Sequence, residues 1–212
     1  MMGSDQRVLR AARVSTGALS KGEEQDKRLI FYLMKHKHHT PFEKIVLEFH
    51  IRCPIFVARQ WFRHRIGSFN EESGRYKELK TDFYIPNSWR IQSKRNKQSS
   101  EEKLTFTDEE TKELSSKLND FYLEVSKIYQ FFLKKGIARE QARTVLPLGV
   151  YTEFYWTVNF RSLMNFIVLR DDLAAQFEIR EYARAIQTLV KSTNKIPWTW
   201  EAFEKFNRES LT

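Results

Sequence analysis

The chain has a single cysteine in 212 residues, Cys53. That excludes an intrachain disulfide and any cysteine-built zinc site. Its seven glycines fall in neither a G-x-G-x-x-G nor a G-x-x-x-x-G-K spacing, so it carries no dinucleotide fingerprint and no P-loop. No run approaches the ~18 apolar residues of a membrane span. Met1 to Arg13 holds no apolar stretch ending in a cleavage site, so no secretory leader is expected and a cytoplasmic location is. No internal repeat is visible. What is present is 41% hydrophobic residues with 14% aromatics, enough to exclude a disordered chain. The length suits one domain spanning 1–212, or one domain with a helical appendage. The net charge of +9 calls for anionic partners, and nucleic acid or small polyphosphorylated ligands account for it equally well.

Along the chain, strand and helix signals mix without βαβ regularity. This predicts an α+β fold, a mixed or antiparallel sheet core flanked by helices, with one long helical segment. Arg10 to Ser15 is a short basic stretch. Ser20-x-x-Glu23 reads as a capping box opening a helix through Leu29, Ile30, Leu33 and Met34, which ends at His36, His38, His39 and Pro41. Ile45 to Cys53 alternates as a half-buried strand. Pro54 suits the first turn of a helix on which Gln60 and Arg63 share a face. A strand is expected near Asp82 to Ile85. Residues 90–106 have little to bury and read as a mobile surface excursion. Thr107-x-x-Glu110 is a second capping box, opening the long helix that Gly136 stops. A short helix over Ala138 to Val145, a strand through Thr152, Phe154, Trp156 and Val158, and helices over Asn159 to Leu169, from Ala174 to Ser192 and from Pro197 complete the reading.

The stretch with the most chemistry is Gln60 to Tyr76, Q-W-F-R-H-R-I-G-S-F-N-E-E-S-G-R-Y. Arg63, His64 and Arg65 stand side by side, an arrangement tolerated only towards solvent or an anion. The flanking guanidiniums should depress His64 and keep it neutral. Ser73-Gly74-Arg75 offers a hydroxyl, a closely approachable backbone and a guanidinium fork, which make either a phosphate cradle or a solvated basic loop. Ser73 has no evident adjacent base, which favours phosphate binding over covalent catalysis. Cys53 has the parity of the buried strand positions and reads as an inert core thiol. His36, His38 and His39 lack a spaced carboxylate partner, so a polar helix end is preferred to a metal site. Arg161 and Asn165 lie four apart on one helix face. They form either a ligand pair or a solvated stripe, and Leu163, Met164 and Phe166 beside them suggest burial and a need for partners.

The arrangement Arg63-His64-Arg65, seven residues, then Ser73-Gly74-Arg75 resembles the signature of the flavin-dependent thymidylate synthases. Further similar segments follow in the family's order: Arg10 to Ser15, His39 to Glu43, Ala142 to Pro147, Asn159 to Phe166 and Ala175 to Arg180. The resemblance implies a non-Rossmann fold and conversion of dUMP to dTMP. The one-carbon unit comes from 5,10-methylenetetrahydrofolate and the reducing equivalents from NADPH through bound FAD. It places flavin contacts on Ser15, Thr40, Arg63, His64, Arg65, Glu71, Asn159, Phe160, Arg161 and Asn165. It places nucleotide contacts on Gln60, Trp61, Phe62, Arg63, Glu71, Glu72, Ser73, Gly74, Arg75, Arg143 and Arg170, with Arg170 the catalytic residue and no metal. It also implies a homotetramer with sites shared between chains, and neither nucleic acid nor membrane as partner. The chain departs from the family pattern at Val168, where asparagine is expected, and at Ala174, where some members have histidine. It begins close to where relatives already have a complete first strand, so that strand is expected to be absent or to start upstream. The rival class is a basic nucleic-acid-binding protein.

Overall fold

The computed structural model describes residues 1–17, 19–20, 22–94, 100–101 and 106–207. In order these form α1 (Asp5–Arg13), α2 (Glu23–Lys35), a 3-10 turn (Thr40–Lys44), β1 (Val46–Pro54), α3 (Ile55–Trp61), β2 (Ser68–Glu71), β3 (Ile91–Gln92) and β4 (Ser100–Glu101). Then come α4 (Asp108–Lys134), α5 (Arg139–Ala142), a 3-10 turn (Arg143–Val145), β5 (Tyr151–Asn159), α6 (Phe160–Arg170), α7 (Phe177–Ser192) and α8 (Pro197–Asn207). The main sheet has the order β1-β5-β2, and β3 pairs with β4 alone. The fold is α+β, with a small antiparallel sheet among helices. No helix among the described residues is long and apolar enough to cross a membrane.

The chain packs as two compact units. One is Met1–Phe49, His64–Ser68 and the residues from Trp156 onward; the other is His50–Arg63 and Phe69–Tyr155. In the first unit, Val8, Leu9, Ile30, Phe42, Phe160, Leu163, Phe166, Ile179, Ala183 and Phe203 are buried. Here α1 does something its sequence did not announce. The Asp5 carboxylate accepts from the backbone N–H of Trp198 at 2.9 Å and of Thr199 at 3.0 Å. It thereby serves the orphan donors of α8, whose own first residue is Pro197. The α2 capping box does not form, because Gly22 is the N-cap and no side chain caps the helix. Ser20 instead donates to buried Asp26 at 2.8 Å, and Arg13 binds the same carboxylate. In place of a full first strand, Met2 makes one antiparallel bridge to Val46, with N–O distances of 2.8 and 2.9 Å.

In the second unit, α4 runs 27 residues from a complete Thr107–Glu110 capping box. Lys135 is its C-cap, beyond which Gly136 takes a φ of 77°, the left-handed geometry that glycine supplies at a helix end. Tyr122 stacks on Phe83 with centroids 4.4 Å apart and donates to the Tyr84 carbonyl at 3.1 Å. The expected strand near Asp82 is reduced to an isolated bridge between Phe83 and Val150. Within 90–106, Ile91 pairs with Glu101 and Gln92 with Ser100. Residues 95–99 and 102–105, on which the expectation of a mobile excursion falls, lie outside the described residues. The strand parities hold: Leu47, Ile51 and Cys53 on β1, and Thr152, Phe154, Trp156 and Val158 on β5, are buried.

Candidate active site

Two clusters of the expected residues form, one in each unit. In the second unit, α3 stops at Trp61, and Phe62 caps it by donating to the Ala58 carbonyl at 2.9 Å. Arg63 therefore lies beyond the helix and does not share a helical face with Gln60. Trp61 is fully buried, edge-on to Phe154 at 5.5 Å. Phe62 packs on Phe69 and Phe154 at 4.9 and 5.0 Å. Both side chains are thus taken up in apolar packing within the second unit.

The acidic pair that follows is tied to β5. Glu71 accepts from Thr152 Oγ1 at 2.8 Å, and Glu72 accepts from the Glu153 N–H at 3.1 Å and from Lys77 Nζ at 2.6 Å. Ser73 then folds the chain back. Its Oγ accepts from Arg75 N–H at 3.3 Å and its carbonyl from Tyr76 N–H at 3.1 Å. Gly74 is buried at the centre of this turn. A Cβ there would come within 2.7 Å of Leu79 Cδ1 and 3.3 Å of Arg143 Cδ, so only glycine fits without a shift of its neighbours. The same close approach sets Arg143, distant in sequence but next in space, against the Ser73–Arg75 turn. Arg75 meets Glu140 of α5 at 3.2 Å, both side chains more than half exposed. An exposed pair of this kind contributes little, so giving it up to another anion costs little. A hydroxyl turn flanked by two guanidiniums is chemically a site for a phosphate-sized dianion.

In the first unit the centre is His64. Arg170 Nε donates to His64 Nε2 at 2.9 Å, and Phe166 packs edge-on to the imidazole with centroids 4.9 Å apart. Phe166 and Arg170 are four residues apart on α6, so one helical face carries both. His64 is held down to about 4 by burial first and by the Arg170 charge second. The direction is the one expected, but the cause is not the flanking arginines, since Arg63 and Arg65 are both exposed and solvent screens them.

Arg161 and Asn165 occupy another face of α6 and are exposed, while Leu163, Met164, Phe166 and Ile167 are buried. The expected burial of the pair is thus corrected: the apolar neighbours point inward and the polar pair outward. Arg161 meets Glu43 at 2.9 Å. Asn159 caps α6, accepting from Ser162 N–H at 2.9 Å. Phe160 is fully buried against Trp200 and Phe203 and donates its N–H to the Ile45 carbonyl at 2.9 Å. Ser15 and Thr40 are exposed, Ser15 in the turn after α1 and Thr40 opening the 3-10 turn. His39, beside Thr40, carries a buried Nε2 with no hydrogen-bond partner among the described residues. Its pKa is lowered by burial and then by the Arg161 charge.

Beyond Arg170, Asp171 accepts from Arg184 and Gln187, each at 2.8 Å, and so ties the end of α6 to α7. Asp172 accepts from Ala174 N–H at 2.7 Å, a local turn that competes with helix. For that reason α7 begins at Phe177 and not at Ala174. Glu43, Phe166 and Asp171 had no assigned role in the sequence. The i, i+4 spacing of Phe166 and Arg170 was a usable signal, whereas the 118-residue separation of Glu43 from Arg161 gave none.

The family model described as thymidylate synthase complementing protein matches residues 1–196. The flavin-dependent thymidylate synthase of Thermosipho africanus is 55% identical over 207 residues, which cover 97% of this chain and 89% of that protein. The enzyme of the same name from Thermus thermophilus is 51% identical over 204 residues, covering 96% of this chain and 73% of that protein. Among solved structures, the UMP/dUMP methylase PolB from Streptomyces cacaoi, bound with 5-Br dUMP, superposes with a TM-score of 0.85 at 35% identity, covering 97% of this chain and 92% of that chain. With the Arg63–Arg65 and Ser73–Arg75 segments in place, the chain belongs to the flavin-dependent thymidylate synthase family.

Proposed function

We propose that this protein is a flavin-dependent thymidylate synthase that methylates dUMP to dTMP. FAD would be its flavin, NADPH the reductant and 5,10-methylenetetrahydrofolate the one-carbon donor, with tetrahydrofolate released. The observation that carries the reading is the Ser73–Gly74–Arg75 turn closed against Arg143, where a Cβ on Gly74 would stand 3.3 Å from Arg143 Cδ. Two guanidiniums and a hydroxyl suit a nucleoside monophosphate. The pairing of other arginines with carboxylates, as in Arg13–Asp26, Arg52–Asp82, Arg161–Glu43 and Arg184–Asp171, argues for a small anion over a continuous basic stripe for nucleic acid.

The residues present fit a flavin. The buried, unpartnered His39 Nε2 lies in the same unit as exposed Thr40, Arg161 and Asn165, which would hold the cofactor with His64, Arg65, Ser15 and Asn159. When bound, the flavin supplies hydride. The protein's part is electrostatic. Arg170 stays protonated and cannot act as a base. It would stabilise the uracil anion formed as the N3 proton passes to water, which raises electron density at C5, the carbon that accepts the one-carbon unit. The active form is proposed to be a cytoplasmic homotetramer with sites shared between chains.

Steady-state kinetics on two variants test this. Arg170→Ala should lower kcat roughly a hundredfold or more, the scale of losing one oxyanion-type donor. Arg143→Ala should mainly raise KM for dUMP, since a phosphate contact is made equally before and during reaction. An Arg170→Ala enzyme with unchanged kcat would make Arg170 a binding residue and defeat the mechanism.

A further inference from the structure

We propose that His64 is a positioning residue for Arg170, acting as a fixed hydrogen-bond acceptor that sets the plane of the guanidinium. The inference rests on the reading of Arg170 as the catalytic cation. It goes beyond a flavin contact, because it gives His64 a second, directional task on the pyrimidine side of the chemistry.

The geometry is specific. The bond runs from Arg170 Nε to His64 Nε2 at 2.9 Å. A guanidinium has no acceptor, so the imidazole nitrogen must supply the lone pair and its single proton must sit on Nδ1. On one side the ring packs against Phe166, edge-on at 4.9 Å, one helical turn before Arg170 on the same face of α6. Anchoring at Nε fixes the plane in which the two Nη donors lie, and a planar fork works only when that plane is correct. Burial and the Arg170 charge together keep His64 neutral, so the acceptor persists at working pH. Asp171, bonded to Arg184 and Gln187, ties the residue immediately after Arg170 to α7.

The test uses the flavin-loaded enzyme and the variants His64→Phe, His64→Gln, Arg170→Ala and the double variant His64→Phe/Arg170→Ala. Flavin occupancy is read by absorbance and flavin reduction by stopped flow. His64→Phe should lower kcat for dTMP formation, expressed per bound flavin and beyond any change in flavin reduction, by about tenfold to a hundredfold, the cost of a misplaced catalytic group. His64→Gln places an amide oxygen near the Nε2 position and should recover most of the loss. Adding His64→Phe to Arg170→Ala should cost little more, because the two act as a unit. A readout independent of activity is the ¹⁵N spectrum of the His64 ring in the wild-type protein. It should show a protonated Nδ1 and a bare Nε2, and the bias should relax in Arg170→Ala. Equal losses in His64→Phe and His64→Gln, additive losses in the double variant, or a protonated Nε2 would each overturn the proposal. An Arg170→Ala enzyme of normal kcat with the Nδ1–H tautomer still present in the wild type would instead defeat the catalytic reading of Arg170 while leaving the positioning contact in place.

Discussion

Cys53 is fully buried on β1, and burial, followed by the negative charge of Glu71, pushes its thiol up to about 12. A thiol held there supplies no thiolate near neutral pH and cannot be the nucleophile. Cys53→Ala should therefore keep full turnover while costing about 1 kcal/mol of stability for a small core truncation, read by urea denaturation alongside kcat. Gly74 makes the opposite case, because its lack of a side chain is what function needs. Gly74→Ala would press on Leu79 and Arg143, and KM for dUMP should rise by about tenfold through a displaced phosphate turn with flavin occupancy unchanged. Unchanged KM would show that the turn is not the nucleotide site. His64 gives a pH dependence. Its pKa falls from 6.5 to about 4 in the folded chain. As pH drops below 6.5 the unfolded state takes up a proton that the folded state refuses, so stability declines until about pH 4 and is constant below it for this group. The difference in urea midpoint between about pH 7 and about pH 5 should shrink in His64→Gln, which has nothing to titrate there. An identical difference in both proteins would contradict a half-buried ring held neutral.

At the scale of elements, two capping-box signals of the same form had different outcomes. Thr107 and Glu110 form both bonds of a capping box, Thr107 N–H to Glu110 Oε2 at 2.7 Å and Glu110 N–H to Thr107 Oγ1 at 3.2 Å. Ser20 and Glu23 do not, because the buried Asp26 carboxylate takes the Ser20 hydroxyl at 2.8 Å. Thr107→Ala should cost about 1 kcal/mol, measured by urea unfolding; a loss within error would mean the cap contributes nothing to the long helix. The contrast explains what was legible. Local rules were enough for the parity of β1 and β5, the span of α4 and its glycine stop, and the inert placement of Cys53. They failed where a distant or competing group intervened: Asp5 capping α8 across 193 residues, the Asp172 turn delaying α7, and Arg161 facing outward to Glu43. At the site, the Ser73–Arg75 turn was visible as a composition of hydroxyl, glycine and guanidinium. Its closure on Arg143 and the bond from Arg170 to His64 are tertiary facts that no local window contains.

On the scale of the whole molecule, the net charge of +9 is consistent with an anionic nucleotide as substrate. The central claim is that this fold methylates dUMP by a flavin-dependent route that needs no cysteine. It is tested most directly by tritium release from dUMP labelled at C5, measured with FAD, NADPH and 5,10-methylenetetrahydrofolate, in wild type and Cys53→Ala side by side. The account predicts release that matches dTMP formation, stops when the flavin is stripped, and is equal in the two proteins. Release that continues without flavin, or that vanishes with Cys53 while fold and flavin are retained, would contradict it.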